Sequence, residues 1–203
     1  MQDKPWLYLA SQSPRRRQLL EQWGLDCRLL LPTPDEDAEA LEQQLAGELP
    51  AHYVKRVTRL KLKAALQRWA AGGLPPGPVL CADTTVALGP QILGKPENPT
   101  HATHMLRQLA GRSHQVFTTV AVAHQGKVHQ ALSRSVVRFK ELAGEEIERY
   151  VATGEPMGKA GAYGIQGLAG LWVQRMSGSY TGIVGLPAFE TARVLQAAGL
   201  RLI

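Results

Sequence analysis

Runs of apolar residues along the chain predict strands, and apolar residues that recur on one helical face predict helices. Leu7 to Ala10 is a short apolar run of strand type, and Cys27 to Leu31 predicts a second strand. Between them, Ser13 before Pro14 is a helix-start signal, and Gly24 is typical of a helix end. The first unit is therefore predicted to be strand, helix, strand.

A long amphipathic helix is predicted from Pro50 to Ala71. With about 100° between successive residues, its apolar stripe consists of Val54, Val57, Ala64, Ala65 and Trp69. Lys61 lies at the centre of this stripe, whereas Lys63 lies on the opposite side. A lysine inside an apolar stripe is costly unless it is paired. Lys61 therefore either extends to the rim of the helix or reaches an anionic site, and we prefer the second interpretation.

The rest of the chain predicts four further strands and three further helices. They are the strands Val79–Leu88, Gln115–Ala123, Val128–Phe139 and Leu171–Met176, a helix that begins near Thr100, and the helices Gly144–Ala152 and Pro187–Ala198. The second and third of these strands are predicted to form a hairpin. A chain of 203 residues suffices for one large domain or two small ones.

Three arginines stand at the start of the first helix. Arg15, Arg16 and Arg17 follow Pro14, where the positive end of the helix dipole disfavours a cation by roughly 0.3–1 kcal/mol. Free backbone N–H groups and guanidinium groups after a strand suit a phosphate group. Two interpretations stay open from this pattern, namely a phosphate site and a solvated basic patch.

Acidic residues stand out at two places. Asp83 is the only charged residue in the strand Val79–Leu88, and a carboxylate among apolar residues is costly unless it binds a metal ion or a proton donor. We therefore prefer a functional interpretation of Asp83 to a solvent-facing one. Asp35 and Glu36 follow the second predicted strand, where strand-end ligands usually stand.

A glycine-dense segment lies near the carboxyl end of the chain. Its sequence, GEPMGKAGAYGIQGLAG, permits close backbone approach to a ligand. It matches neither a GxGxxG pattern after a strand nor a Walker sequence. Lys159, Tyr163 and Gln166 stand among the glycines and argue against a mere linker.

The composition favours a protein that handles anions. The formal net charge is +6 and 44% of the residues are hydrophobic, which suits an apolar core and acidic partners such as nucleotides. Basic and aromatic residues are not interleaved, so we expect no nucleic-acid partner. Cys27 and Cys81 form no CxxC pair, and no apolar run has the length of a signal or membrane segment. We therefore expect reduced cysteines, a cytoplasmic protein and no membrane partner.

The acids and the cations together indicate metal-assisted phosphate chemistry. Carboxylates such as Glu36 and Asp83 can hold Mg²⁺ or Mn²⁺, which bridges phosphate oxygens. Lys61, Lys95 and Lys159 can neutralise the remaining phosphate charge. A carboxylate can also take a proton from an attacking water. From the residues alone we infer a phosphate-handling enzyme.

Five motifs, in order over nearly the whole chain, resemble the Maf family of nucleotide pyrophosphatases. They are LASQSPRRRQLL, the DE pair at Asp35 and Glu36, CADTTV, LGKP and KAGAYGIQG. The resemblance implies a single domain over residues 1–203 with an α/β fold like the inosine-triphosphate pyrophosphatases. In that fold a long mixed twisted sheet is wrapped by helices into two lobes with a central cleft. The resemblance also implies a divalent metal cation and a cytoplasmic enzyme, and it is compatible with a homodimer.

The resemblance implies roles for individual residues. Asp83 corresponds to the catalytic proton acceptor and, with Glu36, to the metal ligands. The positions that bind phosphate correspond to Ser11, Arg16, Lys61, Lys95 and Lys159. Lys63 is the alternative to Lys61 because KLKA replaces the more usual KA, and the helical face selects Lys61. The segment ALEQQLAGELP is longer than the resemblance leads us to expect, and we interpret it as a lengthened surface loop.

Three positions follow the dTTP/UTP branch of that family. They are Arg15, Thr84 and Gln166, where the 7-methyl-GTP branch has Trp, Gln and Glu. The implied reaction is hydrolysis of dTTP and UTP to the monophosphate and pyrophosphate, with metal-assisted attack of water at the α-phosphate. Two alternatives from other classes are a non-catalytic regulator of septum formation and a nucleic-acid-binding module.

Overall fold

The sheet that positions the site contains both parallel and antiparallel strands. The structure, a computed structural model, describes residues 4–33, 36–37 and 40–202. The strands in this part of the chain are β1 (Trp6–Leu9), β2 (Asp26–Leu29), β3 (Val79–Leu88), β4 (Gln91–Leu93), β5 (Ser113–His124), β6 (Lys127–Phe139) and β7 (Val173–Ser177). They form one sheet in the order β2–β1–β3–β5–β6–β7, with β4 beside β3. The first three strands in this order, β2, β1 and β3, are parallel, and all pairs from β3 onward are antiparallel.

Helices wrap this sheet. They are α1 (Pro14–Gln22), α2 (Pro50–Ala71), α3 (Pro99–Leu109), α4 (Gly144–Ala152), α5 (Tyr180–Val184) and α6 (Ala188–Ala197). The predicted long mixed sheet with helices around it is thus confirmed. Within the described ranges, no helix has the length and apolar character that crossing a membrane requires.

Some predicted boundaries were wrong. β2 ends at Leu29 and not at Leu31, because pairing with β1 stops where β1 itself ends at Leu9. The start of the predicted strand Leu171–Met176 belongs to a 3-10 helix, Leu168–Trp172. The Ser13 hydroxyl makes no capping hydrogen bond in the described structure, although Ser13 is the residue before α1. β4 and α5 are short and were not predicted.

The two faces of the sheet bury different sets of residues. On one face, Leu62 and Ala65 of α2 pack against Val79 and Cys81 of β3. On the other face, side chains of α1 and α6 pack with the intervening strand residues, including Leu80. This alternation follows from the two-residue period of a strand. Continued along β3, it directs Asp83 toward α2 and Thr84 toward the opposite face.

A third cluster packs α3 and α4 against the start of β5 and the end of β6. Its centre is aromatic, and ring pairs at 4.7–6.0 Å join His114, Phe139, Tyr150, Tyr163 and Trp172. His114 is 1% exposed, and its Nε2 lies 2.8 Å from the Tyr163 hydroxyl. Burial lowers the pKa of His114 to about 4, so this imidazole is neutral in the folded protein at pH 7.

We expect His114 to make folding stability depend on pH. Because its pKa in the folded protein is below the ordinary value of 6.5, the unfolded chain binds more protons between pH 6.5 and 4, and stability falls as pH falls through that window. The loss is about 3 kcal/mol, since one pKa unit corresponds to about 1.4 kcal/mol. Urea unfolding of the wild type and of His114→Phe at pH 7, 5.5 and 4 measures it.

The readout is the difference in pH dependence between the two proteins, because His114→Phe also removes the partner of Tyr163 and shifts absolute stability. The variant should lose less stability than the wild type on acidification. Equal losses in both proteins would contradict the assignment.

Candidate functional site

An opening in the sheet lies along one edge of β3. On that edge β3 pairs with β1 as far as Leu80 and with β4 from Val86 onward. In the described residues no strand pairs with this edge between those two positions, although β5 pairs with the other edge throughout. Asp83 and Thr84 lie in the middle of the opening. A ligand can therefore approach the backbone and side chains of a strand that is otherwise interior to the sheet.

Asp83 is the centre of a charged cluster. It is 8% exposed, and its Oδ1 accepts a hydrogen bond from the Lys61 ammonium at 2.6 Å. The same ammonium donates to Glu42 Oε1 at 2.7 Å, and Lys95 Nζ lies 2.9 Å from Glu42 Oε2. Two lysines thus join two carboxylates at the sheet opening.

The cluster shifts the ionisation of its members. Burial alone would lower the pKa of Lys61, but the carboxylates of Asp83 and Glu42 outweigh it, and the pKa of Lys61 is raised. Burial would raise the pKa of Glu42, but Lys61 and Lys95 outweigh it, and the pKa of Glu42 is lowered. Lys61 and Glu42 are therefore both charged at neutral pH.

Arg16 joins the start of α1 to β3 and α5. Its Nε donates to the carbonyl of Gly185 at 2.8 Å, its Nη1 to Ser11 Oγ at 3.0 Å and its Nη2 to Thr84 Oγ1 at 3.3 Å. The pKa of Arg16 is lowered by burial, which Asp83 opposes. The guanidinium therefore lies at the sheet opening with its orientation fixed by three acceptors.

Thr84 is held by a chain of hydroxyl groups. Its Oγ1 lies 3.0 Å from Thr118 Oγ1, and Thr118 Oγ1 donates to the carbonyl of Gly182 at 2.7 Å. Because the Thr118 proton is used in that bond, Thr84 is the donor to Thr118 and the acceptor from Arg16. One rotamer of Thr84 satisfies both bonds.

The glycine-dense segment forms the wall of a cavity of about 230 Å³. The residues that line it include Arg15, Glu155, Lys159, Tyr163 and Gln166. Burial, and next the Arg15 charge, lower the pKa of Lys159. Since Arg15 and Arg16 are neighbours in α1, this cavity adjoins the charged cluster.

Close packing explains one of the glycines of this segment. Gly161 has a φ of +68°, and a Cβ atom there would lie 2.8 Å from a methyl group of Val86. Its N–H donates to the Gly94 carbonyl at 3.0 Å. The segment is therefore fixed against β3 and against the residue that precedes Lys95.

The structure brings nearly all of the predicted site residues together. They are Ser11, Arg15, Arg16, Lys61, Asp83, Thr84, Lys95, Lys159 and Gln166. Lys61 reaches the acidic site as the helical phase predicted, while Lys63 is exposed. Their individual roles stay predictions at this point.

Glu36 lies elsewhere. Its carboxylate forms a two-pronged ion pair with Arg68, with Nε–Oε1 at 2.7 Å and Nη2–Oε2 at 2.6 Å. Hydrogen bonds from Arg68, and to a lesser extent from Thr33, lower the pKa of Glu36 to about 2. Arg68 also donates to the Leu30 carbonyl at 2.8 Å. In this structure Glu36 therefore holds the chain after β2 against α2.

Glu42 is the acidic residue that the sequence pattern did not identify. It ends a 3-10 helix, Ala40–Glu42, inside the segment that was predicted to be a lengthened surface loop. The Tyr53 hydroxyl donates to the Glu42 carbonyl at 2.8 Å, and Arg56 donates to the Gln43 carbonyl at 2.8 Å. That prediction was wrong for the start of the segment, because contacts with α2 turn it inward.

The donor set suits a divalent cation that is bound together with phosphates. Among the described residues no three His, Cys, Asp or Glu side chains are grouped as a self-sufficient metal site. Glu42 and Asp83, however, both contact one ammonium, so their oxygens converge. Mg²⁺ in nucleotide sites is commonly held by one or two carboxylates with the substrate phosphates. The residues present fit that arrangement.

The fold is α/β with a mixed sheet, and paired carboxylates and several cations lie at the opening in that sheet. This combination is typical of the class of phosphate-handling proteins. Comparison with known proteins makes the class specific, since the model of the family described as Maf-like protein matches residues 6–198. This chain belongs to the Maf-like family.

Curated relatives match this chain over nearly its full length. A protein of Polaromonas sp. named dTTP/UTP pyrophosphatase is 57% identical over 97% of this chain and 98% of its own length. A protein of Burkholderia pseudomallei with the same name is 58% identical over 96% of this chain and 94% of its own length. The solved structure of the Staphylococcus aureus Ham1 protein matches with a TM-score of 0.42 and 16% identity, over 68% of this chain and 72% of that one.

The hydroxyl chain that holds Thr84 leads to a stability prediction. Thr118→Val keeps the shape of a buried side chain but removes the acceptor of the Thr84 hydroxyl, so we expect a loss of about 1–3 kcal/mol in the free energy of unfolding. Thr103→Val is the matched control, since within the described structure its hydroxyl bonds only the Pro99 carbonyl of α3, at 3.1 Å. Chemical denaturation of the three proteins tests this, and equal losses for both variants would contradict it.

Proposed function

We propose that this protein hydrolyses dTTP and UTP to the monophosphate and pyrophosphate, by attack of water at the α-phosphate. The observation that carries the proposal is the meeting of Asp83 with Lys61, Glu42 and Lys95 at the sheet opening. The relatives at 57% and 58% identity, which carry the name of this activity, support it. Arg16 beside the cluster and Lys159 in the adjoining cavity supply positive charge for a ligand with a polyanionic end and a small uncharged end.

The triphosphate is proposed to bind among the cations. Arg16 uses three of its five N–H groups for Gly185, Ser11 and Thr84, so in the described structure two remain for phosphate oxygens. Lys95 is exposed and lies beside Glu42, and Lys159 lines the cavity. Cations fixed before the substrate arrives stabilise developing charge without reorganisation.

Asp83 and Glu42 are proposed to hold a divalent cation. When bound, the cation would neutralise triphosphate charge and polarise a phosphoryl oxygen. Lys61 keeps the two carboxylates within hydrogen-bond distance of one ammonium, so both lie on the same side of the opening. We assign the second carboxylate to Glu42 in place of Glu36, because Arg68 binds both oxygens of Glu36.

Asp83 is also proposed to accept a proton from the attacking water. Its Oδ1 is bound by Lys61, which leaves Oδ2 for a second hydrogen bond in the described structure. A carboxylate positioned in this way can act as a general base. Thr84, next along β3, is fixed by Arg16 and Thr118 and borders the same opening.

Base selection is proposed to lie in the cavity beside Arg15. Thymine and uracil present two carbonyl groups on either side of an N–H group. The amide of Gln166 offers one donor and one acceptor side, which matches part of that edge. Cytosine presents an amino group and an unprotonated ring nitrogen instead, and unpaired buried polar groups cost about 1–3 kcal/mol each.

We also propose a cytoplasmic location and no nucleic-acid or membrane partner.

A nucleotide panel tests the function. With Mg²⁺ and dTTP, UTP, dCTP or dGTP, we expect pyrophosphate from dTTP and UTP with kcat/KM about ten- to hundredfold above the others. In ¹⁸O-labelled water the label should enter the monophosphate, because attack is at the α-phosphate. Release of inorganic phosphate, or equal kcat/KM for dTTP and dCTP, would contradict the proposal.

Asp83→Asn shows whether the activity belongs to this site. The substitution keeps the size of the side chain and should lower kcat by about 10²–10⁴-fold, the usual effect of losing a general base. Asp26→Asn is the matched control, since Asp26 is exposed in β2 and should leave kcat unchanged. Full activity of folded Asp83→Asn would overturn the assignment.

The choice between Glu42 and Glu36 has its own test. We expect Glu42→Gln to raise the Mg²⁺ concentration needed for half-maximal activity by about tenfold or more. Glu36→Gln should leave that concentration nearly unchanged and weaken the Arg68 ion pair instead. Mg²⁺ titration of both variants under saturating dTTP measures this. The opposite order would assign the metal to Glu36.

A further inference from the structure

We propose that Glu155 is a positioning residue that sets the shape of the base pocket, by joining the end of α4 to the far end of the glycine-dense segment. This inference rests on the proposed function, because it names a residue that gives that function its selectivity. Glu155 is one of the residues that line the cavity. Glu155 is the third residue after the end of α4 at Ala152.

The Glu155 carboxylate makes two hydrogen bonds to different parts of the chain. The Tyr150 hydroxyl donates to Oε1 at 3.0 Å, and the Leu168 N–H donates to Oε2 at 3.1 Å. Tyr150 is 4% exposed and packs edge-to-face on Trp172 with ring centroids 4.7 Å apart. The carboxylate is therefore fixed on one side by the aromatic core and holds Leu168 on the other. We call these two bonds the Glu155 bridge.

Glu155 also binds Lys159, which lies nearer to the start of the glycine-dense segment. The Lys159 ammonium donates to the backbone carbonyl of Glu155, and the Glu155 N–H donates to Thr153 Oγ1 at 3.1 Å. Residues 159–168 thus form a loop whose two ends both bind Glu155. Gln166 lies inside that loop and is exposed. Its amide direction therefore depends on how the loop is closed.

Gly167 shows how closely the bridge packs. A Cβ atom on Gly167 would lie 2.1 Å from Glu155 Oε1 and 2.5 Å from its Cδ. The backbone of Gly167, at φ −97° and ψ −157°, is extended and open to any residue. The nearest atoms to a side chain at this position are those of the Glu155 carboxylate, so a side chain there would displace the carboxylate from its two hydrogen bonds. The absence of a side chain lets the loop lie directly on Glu155.

The bridge differs in role from the other carboxylates of the site. Tyr150 and a backbone N–H, both uncharged, are the donors to its oxygens, whereas Asp83 and Glu42 bind ammonium groups. Glu155 therefore acts through Gln166 and its loop. It should influence which base fits more than how fast bound substrate reacts.

The kinetic test is a comparison of dTTP with dCTP. Glu155→Ala should raise KM for dTTP and lower the ratio of kcat/KM for dTTP over dCTP by about tenfold, because small misplacements of a recognition group have effects of this size. kcat for dTTP should change much less than KM. Glu155→Gln keeps one acceptor oxygen, so its KM for dTTP and its dTTP/dCTP ratio should lie between those of the wild type and of Glu155→Ala. Glu148→Ala, an exposed glutamate of α4, should match the wild type.

A double-mutant cycle tests the contact itself. Gly167→Ala should lower both the free energy of unfolding and the dTTP/dCTP ratio in the wild type, because the new methyl group meets the carboxylate. In the Glu155→Ala background the same change should have little effect, since the obstructing atoms are gone. This coupling in unfolding is measurable without any substrate.

The outcomes separate this inference from the proposed function. Failure of the wild type to release pyrophosphate from dTTP would reject the function and the inference with it. If the wild type is selective but Glu155→Ala raises KM for dTTP and dCTP equally, the bridge is only structural and the inference is wrong. Equal effects of Gly167→Ala in both backgrounds would also overturn it.

Discussion

Asp83 is a carboxylate in the middle of an interior strand, and its pairing with Lys61 is the interaction on which the rest of the site depends. A buried carboxylate without a partner is strongly unfavourable. The partner must come from α2, because Asp83 faces that helix, and Lys61 lies at the centre of the helical face that covers β3. A buried ion pair is rarely more stable than an apolar pair of similar volume. The pair is therefore better explained by the chemistry it supports than by stability.

Short strands on one side of β3 give this ion pair access to a ligand. β1 has only four residues and β4 only three, so they leave the middle of β3 without a neighbour on that edge. Arg16 crosses the opening from α1 and binds the Gly185 carbonyl after α5. The opening is thus bordered by fixed polar groups, and the edge of β3 there stays accessible to a ligand.

The sequence predicted those parts of the site that depend on local periodicity. The bounds of α2, α4 and β3 were predicted correctly, and α2 and β3 are long segments with a clear periodic or apolar pattern. The helical phase alone placed Lys61 at the site. Glu42 could not be found in this way, because its position depends on contacts from Tyr53 and Arg56, which are distant in sequence. Glu36 follows a strand as a metal ligand often does, but its carboxylate is paired with Arg68 of α2 and does not join the cluster around Asp83.

The three arginines at the start of α1 show how one unfavourable motif is resolved residue by residue. Arg16 is fixed by three oxygen acceptors, and Arg15 lines the cavity. Arg17 points away and pairs with Glu21 one turn later at 2.7 Å, on the surface. Arg17 has a compensating partner inside α1, whereas Arg15 directs its positive charge at the cavity and Arg16 at the opening. Binding of an anion there would offset their unfavourable position, because the dipole and the guanidinium groups would attract the same ligand. A helix start that is unfavourable for stability is therefore consistent with the proposed triphosphate site.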